Sequence, residues 1–109
     1  MRQYEIRWAH LPVPIGRRPV LLLTRMPAYA YLNKVIVAEV TSTMRGIPQE
    51  VRVGKAEGLA RESVINFDNV HVVPTAALGD RLGRMAPSRE REIKRALGCA
   101  LDWPELRIL

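Results

Sequence analysis

The sequence predicts a mainly β (α+β) fold, a small barrel or strongly bent sheet of about five to seven short strands with one C-terminal amphipathic helix packed on it. Three observations carry that prediction. β-compatible residues come in short blocks, chiefly Pro19 to Thr24, Lys34 to Thr41, Ser63 to Phe67 and Val70 to Val73. Turn-forming Gly, Pro, Asn and Asp separate the blocks. Only one stretch, after Pro87, spaces its apolar residues as a helix does. At 109 residues, with 48% hydrophobic and 26% charged side chains, the chain reads as one globular domain, 1–109, and not as a disordered segment.

Taken in order, Tyr4 to Leu11 alternates as a strand does, with Tyr4, Ile6 and Trp8 against Glu5 and Arg7. Pro12-Val13-Pro14-Ile15-Gly16 is a loop, since two prolines remove backbone donors and the glycine permits a turn. Pro19 to Thr24 is almost continuously apolar and predicts a strand covered on both faces, with proline at its first position. Met26 to Asn33 predicts one or two helical turns. Lys34 to Thr41, rich in Val and Ile, is the clearest strand. Ser42 to Gln49 is a polar loop, Glu50 to Val53 a short strand, and Gly54 to Gly58 a turn. Ser63 to Phe67 and Val70 to Val73 read as two strands parted by Asp68-Asn69, a turn or bulge. Pro74 to Asp80 is a bend and Arg81 to Met85 a last strand, weakened by Gly83. In the helix Ser88 is the expected N-cap, and Glu90 suits the positive end of the dipole. Ile93, Ala96, Leu97, Ala100 and Leu101 form the apolar stripe, interrupted by Gly98, which costs about 1 kcal/mol against alanine. Asp102-Trp103-Pro104 ends it and leaves a short tail.

The formal charge is +6, from 17 Lys and Arg against 11 Asp and Glu, and all the cations but Lys34, Lys55 and Lys94 are arginines. A guanidinium fork suits phosphates and base edges, so a polyanion, nucleic acid above all, is the expected partner. The single cysteine, Cys99, rules out an internal disulfide and a multi-cysteine zinc site. His10 and His71 lie in different elements and lack the company a metal needs, so no metal or other cofactor is expected. No run approaches the roughly 18 apolar residues of a membrane span, and the N-terminal residues lack a signal-peptide core. A soluble, cytoplasmic protein with no membrane partner is the expectation.

The chemistry centres on the rims of two strands. Arg18 precedes the first apolar run and Thr41 ends the second, and a fold that joins the two rims sets a guanidinium fork beside a hydroxyl, where a phosphate can be held. Each residue has a plainer reading: Arg18 as a surface ion pair with Glu39, Thr41 as a β-former. Arg17, Ser42 and Arg45 flank the proposed groove and suit backbone phosphates, or are solvated loop residues. Asp68 and Asn69 are turn formers, or groups that meet exposed base edges. Trp8, Tyr29 and Tyr31 suit base stacking or, more simply, the core.

In order, these motifs resemble the MazF/PemK family of toxin endoribonucleases. The resemblance runs through Ile6-Arg7-Trp8-Ala9-His10-Leu11-Pro12, Arg18-Pro19-Val20-Leu21-Leu22-Leu23 and Val37-Ala38-Glu39-Val40-Thr41-Ser42. It continues through Gly46-Ile47-Pro48, Ser63-Val64-Ile65-Asn66-Phe67-Asp68-Asn69 and the helix opened by Pro87-Ser88. It implies an SH3-like barrel, a homodimer, and metal-independent, sequence-specific cleavage of single-stranded RNA to 2′,3′-cyclic phosphate and 5′-hydroxyl ends. A cognate antitoxin would restrain the activity. Arg18 and Thr41 match the family's catalytic pair, and Asp68 and Asn69 an acid-amide pair lining the RNA site. The sequence departs from many members in its short loop Pro14-Ile15-Gly16-Arg17, which carries no carboxylate. Two other readings stand beside this one. A CcdB-like gyrase poison would want a C-terminal Trp-Gly-Ile, where this sequence reads Arg107-Ile108-Leu109. A plain RNA-binding barrel would keep the charge and need neither Arg18 nor Thr41.

Overall fold

The structure, a computed structural model, describes residues Met1–Leu109. Six strands form one antiparallel sheet: β1 (Glu5–Leu11), β2 (Gly16–Leu22), β3 (Lys34–Thr41), β4 (Glu50–Val53), β5 (Ser63–Pro74) and β6 (Leu78–Arg84), in the spatial order β4-β5-β3-β2-β1-β6. Two helices follow, α1 (Glu90–Leu101) and the single turn α2 (Pro104–Arg107). No helix is long and apolar enough to cross a membrane.

Alternation along the strands sends apolar side chains to both faces of the sheet. Ile6, Leu21, Ala38, Val40, Ile65 and Phe67 point to one side, where Ile93 and Ala96 of α1 and Met85 complete a core. Ala9, Leu11, Val20, Leu22, Val35, Val37 and Val73 form a second cluster on the other side. This explains the unbroken apolar run in β2, whose Leu21 faces one cluster while Val20 and Leu22 face the other. On α1 the expected stripe holds at Ile93 and Ala96, with Leu97 and Ala100 half-buried against the core, but Leu101 is exposed.

Several elements differ from their sequence-predicted form. β2 starts at Gly16, so Pro19 is interior, not first. Its pairing with β3 covers only Val20 to Leu22, and at Pro19 that flank has no ladder bond to lose. Met26–Asn33 contracts to a 3-10 turn, Ala28–Ala30. The two strands expected on either side of Asp68-Asn69 are one, β5. Glu39 pairs with Asn66 and Ala38 with Val70, so Phe67, Asp68 and Asn69 bulge out of the ladder while the strand continues. β6 begins three residues before the expected Arg81 and stops at Arg84, and the bend before it is the 3-10 turn Thr75–Ala77. Ser88 lies inside a 3-10 turn, Pro87–Arg89, and makes no capping bond; α1 opens instead with Glu90 and Glu92 in its first turn. Gly98 is required by close approach, since a Cβ there would stand 2.6 Å from Leu106 Cβ.

The two edge strands, β4 and β6, do not pair with each other. The loop after β4 carries a 3-10 turn, Lys55–Glu57, and lies against β6 so tightly that a Cβ on Gly58 would stand 2.0 Å from the Leu82 carbonyl oxygen, and one on Gly83 2.1 Å from that of Glu57. Gly58 also has φ of +91°, a left-handed conformation that glycine adopts without penalty. The loop is anchored from within. Buried Glu57 accepts a hydrogen bond from the Gly54 N–H at 2.7 Å and pairs with Arg89 at 3.3 Å, while Arg89 also bonds Glu92 and the Arg52 carbonyl.

Candidate functional site

Where this loop meets the ends of β2 and β3, a cavity of about 400 Å³ opens. Trp8 comes to it from β1, Arg17, Arg18 and Pro19 from β2, Val40 and Thr41 from β3, and Ser42 from just beyond. The opposite wall is Gly58 to Arg61, Ser63 and Leu82. The convergence of Arg18 and Thr41 follows from register. β2 pairs with β3 at Val20–Glu39, and two further steps along the same antiparallel register set Arg18 across from Thr41. Past the last ladder pair the two backbones are unpaired, and the side chains of both strands line the cavity.

Thr41 is half-buried, and its Oγ1 accepts a hydrogen bond from the Thr43 N–H at 3.1 Å, leaving the hydroxyl proton to donate elsewhere. Arg17 stacks its guanidinium over the Trp8 ring, 3.9 Å from the centroid, which holds a cation at the cavity wall and covers one face of the indole. Arg18 gives one Nη1 bond to Glu39 Oε1 at 3.1 Å, with its side chain 36% exposed. A guanidinium has five N–H donors, so the others stay available to an incoming anion.

Glu39 is no surface partner. Its side chain is 5% exposed, and its second oxygen, Oε2, lies 2.6 Å from Nε2 of His71 on β5. Val20 of β2 faces Glu39 directly, and Val37 of β3 faces His71, so both contacts are diagonal ones on a single face of the sheet. His71 lines a neighbouring cavity of about 380 Å³ together with His10. No group of three or more His, Cys, Asp or Glu side chains is placed to hold a metal ion.

Of the sequence-predicted site residues, Arg17, Arg18, Thr41 and Ser42 share the cavity. Arg45, Asp68 and Asn69 do not line it. Arg45 is exposed on a loop whose Arg45 and Gly46 N–H groups donate to the Glu50 carboxylate. Asp68 and Asn69 are exposed on the β5 bulge, where the Asp68 N–H donates to Asn66 Oδ1 at 2.9 Å. Sequence reasoning passed over Arg61, which only the closing loop brings to the cavity. It also passed over the Glu39–His71 contact, although a carboxylate inside the apolar run Val37-Ala38-Glu39-Val40 is a visible signal.

The family model described as "PemK-like, MazF-like toxin of type II toxin-antitoxin system" matches residues 2–101. The chain is 41% identical over 88 residues to "Endoribonuclease MazF3" of Mycobacterium tuberculosis, an alignment covering 79% of this chain and 85% of the relative. Among solved structures it is similar to "Mycobacterium tuberculosis toxin MazF-mt6", with TM-score 0.85, 38% identity and coverage of 90% of this chain and 96% of the other. It is also similar to "Endoribonuclease in complex with its cognate antitoxin from Mycobacterial species", with TM-score 0.81, 26% identity and coverage of 95% and 97%.

Proposed function

The chain belongs to the PemK-like, MazF-like toxin family of type II toxin-antitoxin systems, and from that premise we propose that it is an endoribonuclease toxin that cleaves single-stranded RNA, restrained by a cognate antitoxin. In this reading it acts as a homodimer on mRNA in the cytoplasm, cutting at a defined short sequence without a metal. The observation that carries the proposal is the convergence of Arg18 and Thr41 on one cavity beside a second guanidinium, that of Arg17.

RNA brings its own nucleophile. The 2′-oxygen attacks the adjacent phosphorus as its proton departs, the bond from phosphorus to the 5′-oxygen breaks, and that oxygen takes up a proton. The products are a 2′,3′-cyclic phosphate and a 5′-hydroxyl. Charge builds on the non-bridging oxygens in the transition state, and donors already aimed at them stabilise it more than the ground state. Arg18 supplies that donation with its unengaged N–H groups, and Thr41 adds its hydroxyl proton. Arg17, Ser42 and Arg61 hold flanking phosphates. Arg45, Asp68 and Asn69, outside the cavity, contact the strand where it runs on past the cut.

Incubation of purified protein with RNA in EDTA tests the reading. Cleavage is expected, with cyclic phosphate ends. Arg18→Ala is expected to lose about 10²–10³-fold in rate while remaining folded by circular dichroism. Thr41→Ala should lose about tenfold, the worth of one neutral hydrogen bond. An intact RNA pool after prolonged incubation with wild-type protein would remove the nuclease reading.

A further inference from the structure

We propose that Glu39 is a positioning residue for Arg18 and that His71 is its second anchor, the three groups forming one unit across β2, β3 and β5. This rests on the nuclease reading of the cavity. Its warrant is the placement of Glu39, a carboxylate 5% exposed on β3, one of the two central strands of the sheet, with Arg18 on one oxygen and His71 on the other. Taking a carboxylate out of water is expensive, and an apolar pair of similar volume would serve stability as well or better. What the buried charge adds is direction. An arginine on a long flexible stem has many rotamers, and a fixed acceptor at 3.1 Å selects one before RNA arrives.

His71 completes the restraint. With Nε2 at 2.6 Å from Oε2, the imidazole holds the carboxylate oxygen that Arg18 does not use, so the carboxylate cannot turn away from the guanidinium. None of the three is a sequence neighbour of another, and their spacing is set only by the two registers that flank β3. Glu39 does not line the cavity, so its action on RNA runs through Arg18.

The test is a double-mutant cycle on the RNA sequence that wild-type protein cuts. Glu39→Gln keeps the shape and removes the charge. It is expected to lower kcat at least tenfold, while an RNA carrying a 2′-deoxy sugar at the cut site binds as well as to wild type or better, because a negative charge near the phosphate path is gone. Damage to the fold would weaken both. In an Arg18→Lys background the same change should cost less than about twofold, because its action passes through the guanidinium fork that lysine lacks. His71→Gln should lower kcat several-fold and be equally silent behind Arg18→Lys. If Glu39→Gln does not fold, the His71→Gln cycle decides. Wild-type kcat in Glu39→Gln, or losses that multiply in the double variants, would overturn the proposal while leaving the nuclease reading intact. Failure of wild-type protein to cut any RNA would instead remove the nuclease reading itself.

Discussion

Arg17 and Arg18 are adjacent, yet alternation along β2 gives them different tasks. Arg18 is tied to a buried carboxylate, whereas Arg17 is exposed and rests on Trp8. Arg17 should therefore act as a phosphate contact with little hold on the chemistry. Arg17→Ala is expected to weaken binding of a 2′-deoxy-substituted RNA several-fold and to reduce the slope of log affinity against log salt by about 0.7, as read by fluorescence anisotropy across a salt series. At this scale the candidate site was half legible in the sequence. The Arg-Pro pair before an apolar run, and the threonine ending another, pointed to the rim residues. Glu39 beside Arg18 reads from sequence as a surface pair, because one-dimensional patterning does not tell an acid on an open rim from one sealed between strands.

Among the elements, β3 was readable to its ends because Val, Ile and polar termini coincide there. β5 reads from sequence as two strands because Asp68-Asn69 looks like a reversal, and only pairing with β3 shows the chain going straight on after the bulge. The contact of the Gly54–Gly58 region with β6 was equally hidden. It joins segments distant in sequence, and its only trace was Gly83, which read as a weakness in a strand. That glycine is a requirement of packing. Gly83→Ala would press a methyl group onto the Glu57 carbonyl oxygen, and a loss of about 1–3 kcal/mol in urea unfolding is expected. Because Gly58 to Arg61 form a wall of the cavity, RNA cleavage should fall in the same variant.

For the molecule as a whole, the two ends of the pH scale act through different groups. The Glu90 carboxyl is drawn below its ordinary value of 4.5 by hydrogen bonds from Tyr4 and Lys94, and that of Glu92 by its bond to Arg89. Burial raises the Glu5 carboxyl, but bonds from Arg7 and the Arg2 N–H outweigh it, and the net direction is again down. A carboxyl lowered by folding contributes stability that is present above pH 4.5 and is lost as pH falls below it through the folded value. Burial pushes the Tyr29 phenol from 10.0 up to about 12 and raises Tyr4 as well, with Glu90 adding to the latter. These groups favour the fold below pH 10 and cease to do so as pH climbs toward 12. Thermal unfolding is thus expected to show a plateau of Tm bounded by an acid decline starting near 4.5 and an alkaline decline starting near 10. The missing ladder between β4 and β6 has its own consequence. A backbone ladder would lock those two edges together by repeated hydrogen bonds. Here the seam is closed by the Gly54–Gly58 loop packed on β6, so the cavity wall from Gly58 to Arg61 is only as firm as the contact between two glycines and two carbonyl oxygens.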